Sequence, residues 1–220
     1  MNAQLTGRRA RVRGWDCRAS ILVPGLHHLA AGFDDRRIGQ QAALLRDEVP
    51  LERHRLTYRV NVEGTVAMTH AFLDDVVAAP GGHLVFIASA SGYVGLPNGS
   101  TYASSKWAVI GFSESIRAEL KHRKERQVGV TTVCPSYIAT GMFDGVKPPK
   151  ATSMLTPEKI AAKVVDAVER RKVWVLEPWI VKITPLLKHG LPTGLSDFIA
   201  DAFGATSSMD RWKGHDEASR

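Results

Sequence analysis

Three observations in the 220-residue sequence predict an α/β protein, a parallel sheet flanked by helices. Short apolar runs at 83–89 and 128–134 are bounded by turn residues, as in strands buried inside a parallel sheet. Stretches of helical periodicity alternate with them at the spacing of strand and covering helix. A composition of 44% hydrophobic and 23% charged residues is that of a globular chain. It excludes a collagen-like fibre, a disordered chain and a disulfide scaffold, and the length suits one domain of ordinary size.

Each element has its own justification. Residues 51–79 contain no Pro and one Gly, and Leu56, Val60, Val66, Phe72, Leu73, Val76 and Val77 recur at roughly helical intervals, which predicts one long helix closed by Pro80-Gly81-Gly82. His83–Ser89 reads as a strand buried on both faces, and a loop rich in Gly, Asn and Ser follows to Ser100. Thr101 to about Arg126 predicts a second long helix, its charges gathered in the last turns where cations suit the macrodipole. Val128–Cys134, rich in Val and Thr, is a second strand. Residues 135–156, with Pro148-Pro149, form a loop or lid. Thr156 caps a helix that has Pro157 in its first position and runs to Arg171. Lys172–Leu176 is a last short strand, and Trp179–Phe203 reads as apolar helical pieces broken by Pro185 and Pro192. Residues 46–205 are the expected domain, 1–45 an atypical Arg-rich segment and 206–220 a polar tail.

The formal charge of +7 is unevenly placed. Residues 1–60 hold 11 Arg and 6 acidic residues, whereas residues 61–220 hold 18 basic and 16 acidic ones. The body of the chain is therefore nearly neutral, and the basic quarter lacks the aromatic interleaving of a nucleic-acid surface. No nucleic-acid partner is expected. The two cysteines, Cys17 and Cys134, have no histidines at ligand spacing, so no metal is expected either. No run of 18 apolar residues exists, which argues against stable membrane insertion. Ala19–Ala31 loosely imitates a targeting segment, but Pro24, Gly25, His27 and His28 interrupt it, and the expected location is cytoplasmic.

The chemistry concentrates in Tyr102-Ala-Ser-Ser-Lys106, with Ser89 thirteen residues upstream. Four residues apart on a helix, Tyr102 and Lys106 share a face, so an ammonium can stand beside a phenol. Bringing a tyrosine from a pKa near 10 to about 7 takes roughly 4 kcal/mol of preferential stabilisation of the phenolate. Lys106 can supply part of it, and a positively charged nicotinamide ring more. Ser89 would donate a hydrogen bond to the substrate oxygen whose proton Tyr102 gives or takes. Alone, the Tyr-x-x-x-Lys pair is weak, and a tyrosine capping a surface lysine is then the better reading.

With its surroundings, the pair resembles the classical short-chain dehydrogenase/reductase family over roughly residues 50–180. The resemblance implies a Rossmann-like fold, NAD or NADP as cofactor, and catalytic Ser89, Tyr102 and Lys106. It adds Asn61, in Val60-Asn61-Val62, as the helical asparagine that holds a relay water. It also implies that the loop Cys134-Pro135-Ser136-Tyr137-Ile138-Ala139-Thr140 joins Tyr102 and Lys106 in contacting the cofactor, through the backbone near Ile138 and the hydroxyl of Thr140, with Ser136 where the family has Gly. Thr140-Gly141-Met142-Phe143 and the apolar stretch 178–187 are similar to the retinol and hydroxysteroid dehydrogenase branch. The expected activity interconverts an alcohol and a carbonyl on a small apolar substrate, with Met142, Phe143, Met154 and Leu155 lining the pocket. A homodimer or homotetramer is implied, through helices 51–79 and 101–126. Val66, His70, Phe72, Trp107, Val109 and Phe112 are its expected outward-facing residues.

The first βαβ half reads as incomplete. Each such unit takes about 30 residues, and roughly 60 plus a fourth strand should precede the helix bearing Asn61. Thr6-Gly7 follows no strand and opens no Gly-rich phosphate loop, and Gln40-Gln41-Ala42-Ala43 stands where the family's Asn-Ala-Gly turn belongs. No residue is identifiable as the one that selects NAD over NADP. Residues 1–45 thus read either as the product of a truncated, rearranged or out-of-frame gene start, or as a divergent arm. Two alternatives to an active oxidoreductase stay open: a non-catalytic remnant or dimerising scaffold without cofactor, and a sugar-nucleotide epimerase, for which the chain after Lys106 leaves little room.

Overall fold

The computed structural model describes residues 50–140, 143, 145–150 and 152–210, together with the short strands 10–12 and 15–17. The expectations for the remainder of residues 1–49, for Met142 and for the tail beyond residue 210 lie outside the described residues. The chain divides into two compact units, residues 1–35 and 36–220. In the first, β1 (Ala10–Val12) pairs antiparallel with β2 (Trp15–Cys17), a pair that the sequence pattern did not signal.

Among the described residues, the second unit opens with α1 (Leu51–Tyr58), a π-helical turn at Arg59–Glu63 and α2 (Gly64–Ala78), continuous in backbone. The single helix expected there is thus interrupted by one widened turn centred on Asn61. Next come β3 (His83–Ile87), a 3₁₀ turn at Ala90–Gly92 and α3 (Ser100–His122). They are followed by β4 (Gly129–Pro135), α4 (Pro157–Glu169), β5 (Trp174–Glu177), α5 (Ile180–Gly190) and α6 (Thr193–Phe203). Thr156 caps α4 as its sequence predicts, its hydroxyl accepting the Lys159 N–H at 3.3 Å.

The sheet is parallel in the order β3-β4-β5, with His83 opposite Gly129 and Pro135 opposite Glu177. All seven residues of β4 are buried. Gly129 is glycine for a steric reason: a Cβ there would stand 2.2 Å from the His83 ring. On one side, Phe86, Val109, Ile110, Ile116, Leu120 and Val130 form the main core, joined by Leu73, Val76 and Val77 of α2. On the other, Val133, Val175 and Ala167 pack with Val164 under α4.

Three expectations need correction. β3 is not buried on both faces: Val85 and Ile87 are 38% and 54% exposed. Among the described residues it is one of the two edge strands of this sheet, and α4 packs on β4 and β5 instead. Pro185 does not break the final apolar stretch but lies inside α5. Its missing N–H removes one helical bond, while the burial of Val181 anchors the helix in the core. Val109 and Phe112 do not face outward. Val109 is 2% exposed, and Phe112 packs edge-on to Phe86 with centroids 5.9 Å apart.

Val133 is fully enclosed between β3, β5 and α4. Val133→Ala should therefore destabilise the protein by about 2 kcal/mol, the transfer of two methyl groups plus a cavity term. Urea unfolding measures it, and a shift below about 0.5 kcal/mol would contradict this packing.

Candidate active site

The carboxyl end of β3 leads directly into Ser89, whose extended backbone caps the 3₁₀ turn. Its Oγ accepts the Ser91 N–H at 3.2 Å and the Ser91 hydroxyl at 3.0 Å. With both lone pairs engaged, the Ser89 proton is left to donate. The turn lies tight against α3 because residue 92 is glycine: a Cβ there would come 2.4 Å from Ile110 Cδ1 and 3.0 Å from the Lys106 carbonyl oxygen. Trp107 Nε1 fastens the same turn by donating to the Ser91 carbonyl at 2.7 Å.

Tyr102 and Lys106 stand one turn apart at the start of α3. The Ser89 side chain lies close enough to the Tyr102 phenol to favour its ionised form. Lys106 Nζ is 5.7 Å from the centroid of the Tyr102 ring and donates to the Ile87 carbonyl at 3.1 Å. Three of the residues singled out in the sequence thus meet at one end of β3. Asn61 approaches from the helix before it, its Nδ2 donating to Ser105 Oγ at 3.0 Å, and Ser105 donating in turn to the Tyr102 carbonyl at 2.7 Å. His54 to Thr101 (2.7 Å) and Tyr58 to Ser104 (2.6 Å) clamp the same two helices together.

Beyond β4, Leu155 pairs with the loop by donating its N–H to Tyr137 C=O at 2.9 Å and accepting that of Ala139 at 2.8 Å. The Ile138 amide therefore points the other way, its carbonyl accepting the Thr140 N–H at 2.9 Å, and Thr140 is exposed. The Tyr137 ring packs on Phe143 and its hydroxyl meets Ser208 Oγ at 2.7 Å. Tyr137 also lies near enough to Tyr102 to oppose its ionisation. Of the residues expected to line a pocket, Leu155 is buried and Phe143 and Met154 are half-buried.

Burial dominates the electrostatics. It pushes the Tyr102 phenol up, against the nearby Ser89 side chain, which favours the phenolate. Burial also holds Lys106 down to about 8. Cys134, buried under Ser89, is pushed up to about 12 by the same cause, with hydrogen bonds from Tyr93 and Ser89 opposing. Cys134 is therefore an inert thiol. At neutral pH, Tyr102 keeps its proton and Lys106 is mostly charged, an acid beside a cation. Ser91, Ser105 and Tyr137 were missed as supporting groups. The runs Ser89-Ala-Ser91 and Ser104-Ser105 were the available signal, but serine runs are too common to single out.

The family model for short chain dehydrogenase matches residues 36–151. The chain belongs to that family. Among curated relatives, the chain is 34% identical over 160 residues to epidermal retinol dehydrogenase 2 of Mus musculus, covering 72% of this chain and 52% of the relative. It is 34% identical over 155 residues to short-chain dehydrogenase/reductase family 16C member 6 of Bos taurus, covering 70% and 49%. The chain spans about half the length of these relatives. A solved short chain dehydrogenase from Burkholderia cenocepacia, in complex with NADP, matches with a TM-score of 0.58 at 23% identity, covering 74% of this chain and 64% of that one. Another from Burkholderia phymatum, in complex with NAD, matches at 0.55 and 19%, covering 65% and 59%. Both support the Rossmann-like fold. Among the described residues, no helix is long and apolar enough to cross a membrane, and no cluster of His, Cys, Asp or Glu could hold a metal.

The burial of Lys106 sets a pH dependence. Its folded value, about 8, lies below the ordinary 10.5, so the unfolded chain binds more protons between these values. The penalty is fully present below pH 8 and is relieved as pH rises toward 10.5. The stability of the wild type in urea should climb relative to that of Lys106→Met across that window, the raised Cys134 thiol opposing the rise in both proteins above pH 9. A constant difference would show Lys106 to be solvated.

Proposed function

We propose that this short-chain dehydrogenase is an NAD(P)-dependent oxidoreductase that interconverts an alcohol and a carbonyl on an apolar substrate. The convergence of Ser89, Tyr102 and Lys106 at the carboxyl end of the parallel sheet carries the reading, for that is where such sheets bind ligands. The names of the relatives point to retinol-like alcohols as the class to test first.

The described residues fit the nicotinamide end of such a cofactor: the outward-turned Ile138 amide and the exposed Thr140 side chain suit a carboxamide, and the Lys106 ammonium suits a ribose hydroxyl. When bound, the nicotinamide supplies the hydride acceptor or donor. Tyr102 moves the proton at the substrate oxygen. Ser89, its own lone pairs engaged by Ser91, donates to that oxygen and holds it in place. Lys106 favours the phenolate that forms when Tyr102 gives up its proton. Asn61 acts through Ser105 on the position of Tyr102, a positioning role consistent with the relay that the family resemblance implies. Tyr58, Val66 and Trp107, exposed along α1, α2 and α3, are compatible with the homodimer or homotetramer that the resemblance also implies.

Tyr102→Phe should lower turnover of retinol at least 10²-fold with unchanged thermal stability, the loss typical of a general acid or base. Unchanged turnover overturns the assignment.

A second reading, a scaffold without cofactor, is favoured by one observation: the sequence has no Gly-rich turn opening a helix for the pyrophosphate. Losing two or three charge-assisted hydrogen bonds of about 1.5–3 kcal/mol each weakens binding about a hundredfold or more. NADH and NADPH should accordingly bind this chain weakly in fluorescence titrations. Low-micromolar dissociation constants would instead reveal a phosphate site within the first 45 residues.

A further inference from the structure

The end of α3 farthest from Tyr102 borders a cavity of about 220 Å³. Leu120 and the buried Val128 and Val130, which flank the first residue of β4, give it an apolar floor. Its other lining residues are Arg117, Lys121 and Arg126, with Glu125 as the one carboxylate. Local structure assembles this set. Arg117 and Lys121 lie one turn apart on the same face of α3. The chain then reverses through Lys124, which takes a left-handed conformation with φ of 67°, and the Glu125 N–H fastens the turn by donating to the Leu120 carbonyl at 2.9 Å. The reversal returns Arg126 to the neighbourhood of the two helical cations. The carbonyls of Glu119, Leu120 and Lys121 accept the N–H groups of Arg123, Glu125 and Lys124, so the character of the cavity is set by the side chains and not by the negative end of the helix.

The guanidinium of Arg117 is incompletely satisfied. Its Nε is buried and, among the described residues, has no hydrogen-bond partner. A buried donor without an acceptor bears the whole penalty of its desolvation, the more so on a charged group. Among the described residues Arg117, Lys121 and Arg126 also form no ion pair, and the Glu125 carboxylate accepts from Gln127 Nε2 at 2.7 Å. Three cations therefore stand against one carboxylate around an apolar floor. An anion answers the charge, and the floor selects its kind. Phosphate is strongly hydrated and gains nothing from Leu120, Val128 and Val130, whereas a carboxylate on a hydrocarbon skeleton can match the guanidinium fork and cover the valines together. The volume corresponds to roughly seven water-sized groups, the bulk of a short-chain carboxylate.

We propose that this cavity binds a short apolar carboxylate, with Arg117 engaging the carboxylate, Lys121 and Arg126 adding charge at the rim, and Leu120, Val128 and Val130 covering the hydrocarbon. Arg117 follows Tyr102 by fifteen residues, about 22 Å along α3, so the site is separate from the catalytic one and its failure would leave the assignment of Ser89, Tyr102 and Lys106 untouched. Titration of the isotope-labelled full chain with hexanoate, followed by NMR chemical shifts, reads affinity and place together. Hexanoate should shift the amides of residues 117–130. It should bind about tenfold or more tightly than 1-hexanol, which keeps the skeleton without the charge, and than inorganic phosphate, which keeps the charge without the skeleton. Arg117→Gln should weaken hexanoate about tenfold or more, and Arg126→Gln about threefold. Arg126 is exposed and, among the described residues, has no ion pair to lose, so weaker binding by its variant reports the ligand and not the fold. Hexanol or phosphate binding as tightly as hexanoate, an affinity unchanged in either variant, shifts confined to the residues around Tyr102, or no binding of hexanoate at all would each overturn the proposal.

Discussion

Complete burial of β4 is the constraint on which the rest of the second unit depends. A strand enclosed on both faces and both edges must satisfy every polar side chain it carries, since an unpaired buried hydroxyl costs about 1–3 kcal/mol. Thr131 does so with the His83 ring at 2.7 Å and the Lys172 carbonyl at 2.6 Å. Thr132 does so with Ser113 at 2.8 Å. Each partner belongs to a different element, so the bonds that satisfy β4 also fix the register of β3, the start of β5 and the rotation of α3. That rotation matters to the chemistry. Ser113 lies seven residues after Lys106 and eleven after Tyr102, on the same helical stripe. Turning Ser113 toward Thr132 turns Tyr102 and Lys106 toward the end of β3.

The same burial shapes the acid/base properties. Lys106 satisfies a backbone carbonyl of β3 and faces a tyrosine ring, yet is held down to about 8, where an ammonium still predominates at neutral pH. Tyr102 is pushed the opposite way, and the Ser89 side chain is the largest influence favouring its phenolate. The direction of the Ser89 hydroxyl follows from Ser91, which occupies the acceptor sites of Ser89 with its own N–H and O–H. A serine two residues downstream thereby decides which way the proton of Ser89 points.

What the sequence made legible is what local periodicity and spacing encode. The i, i+4 relation of Tyr102 and Lys106, the Thr156-Pro157 cap and the β-branched run of β4 each announce their own geometry. Which surface covers a face is not encoded locally. The apolar residues of β3 predicted burial on both sides, but Val85 and Ile87 sit beyond the reach of α4. Val109 and Phe112 looked surplus to a sheet, yet α3 lies so close over β3 and β4 that both face the core. Pro185 signalled a break that the packing of Val181 overrides. Asn61 was placed by resemblance, whereas its bond to Ser105 depends on how two helices cross, which no single-chain pattern specifies.

Position also joins the site to the open side of the sheet. Lys106 bonds the carbonyl of Ile87, the residue whose own side chain is 54% exposed on the uncovered face of β3. Burial is the leading cause of the shifts at both Lys106 and Tyr102. Any element laid over Val85 and Ile87 would remove further water from the neighbourhood of both groups, lowering the ammonium and raising the phenol still more. Proton transfer at Tyr102 and the covering of β3 are thus two aspects of one electrostatic environment. A chain that fills that face differently from its relatives would retain the same three side chains while operating them at a different pH.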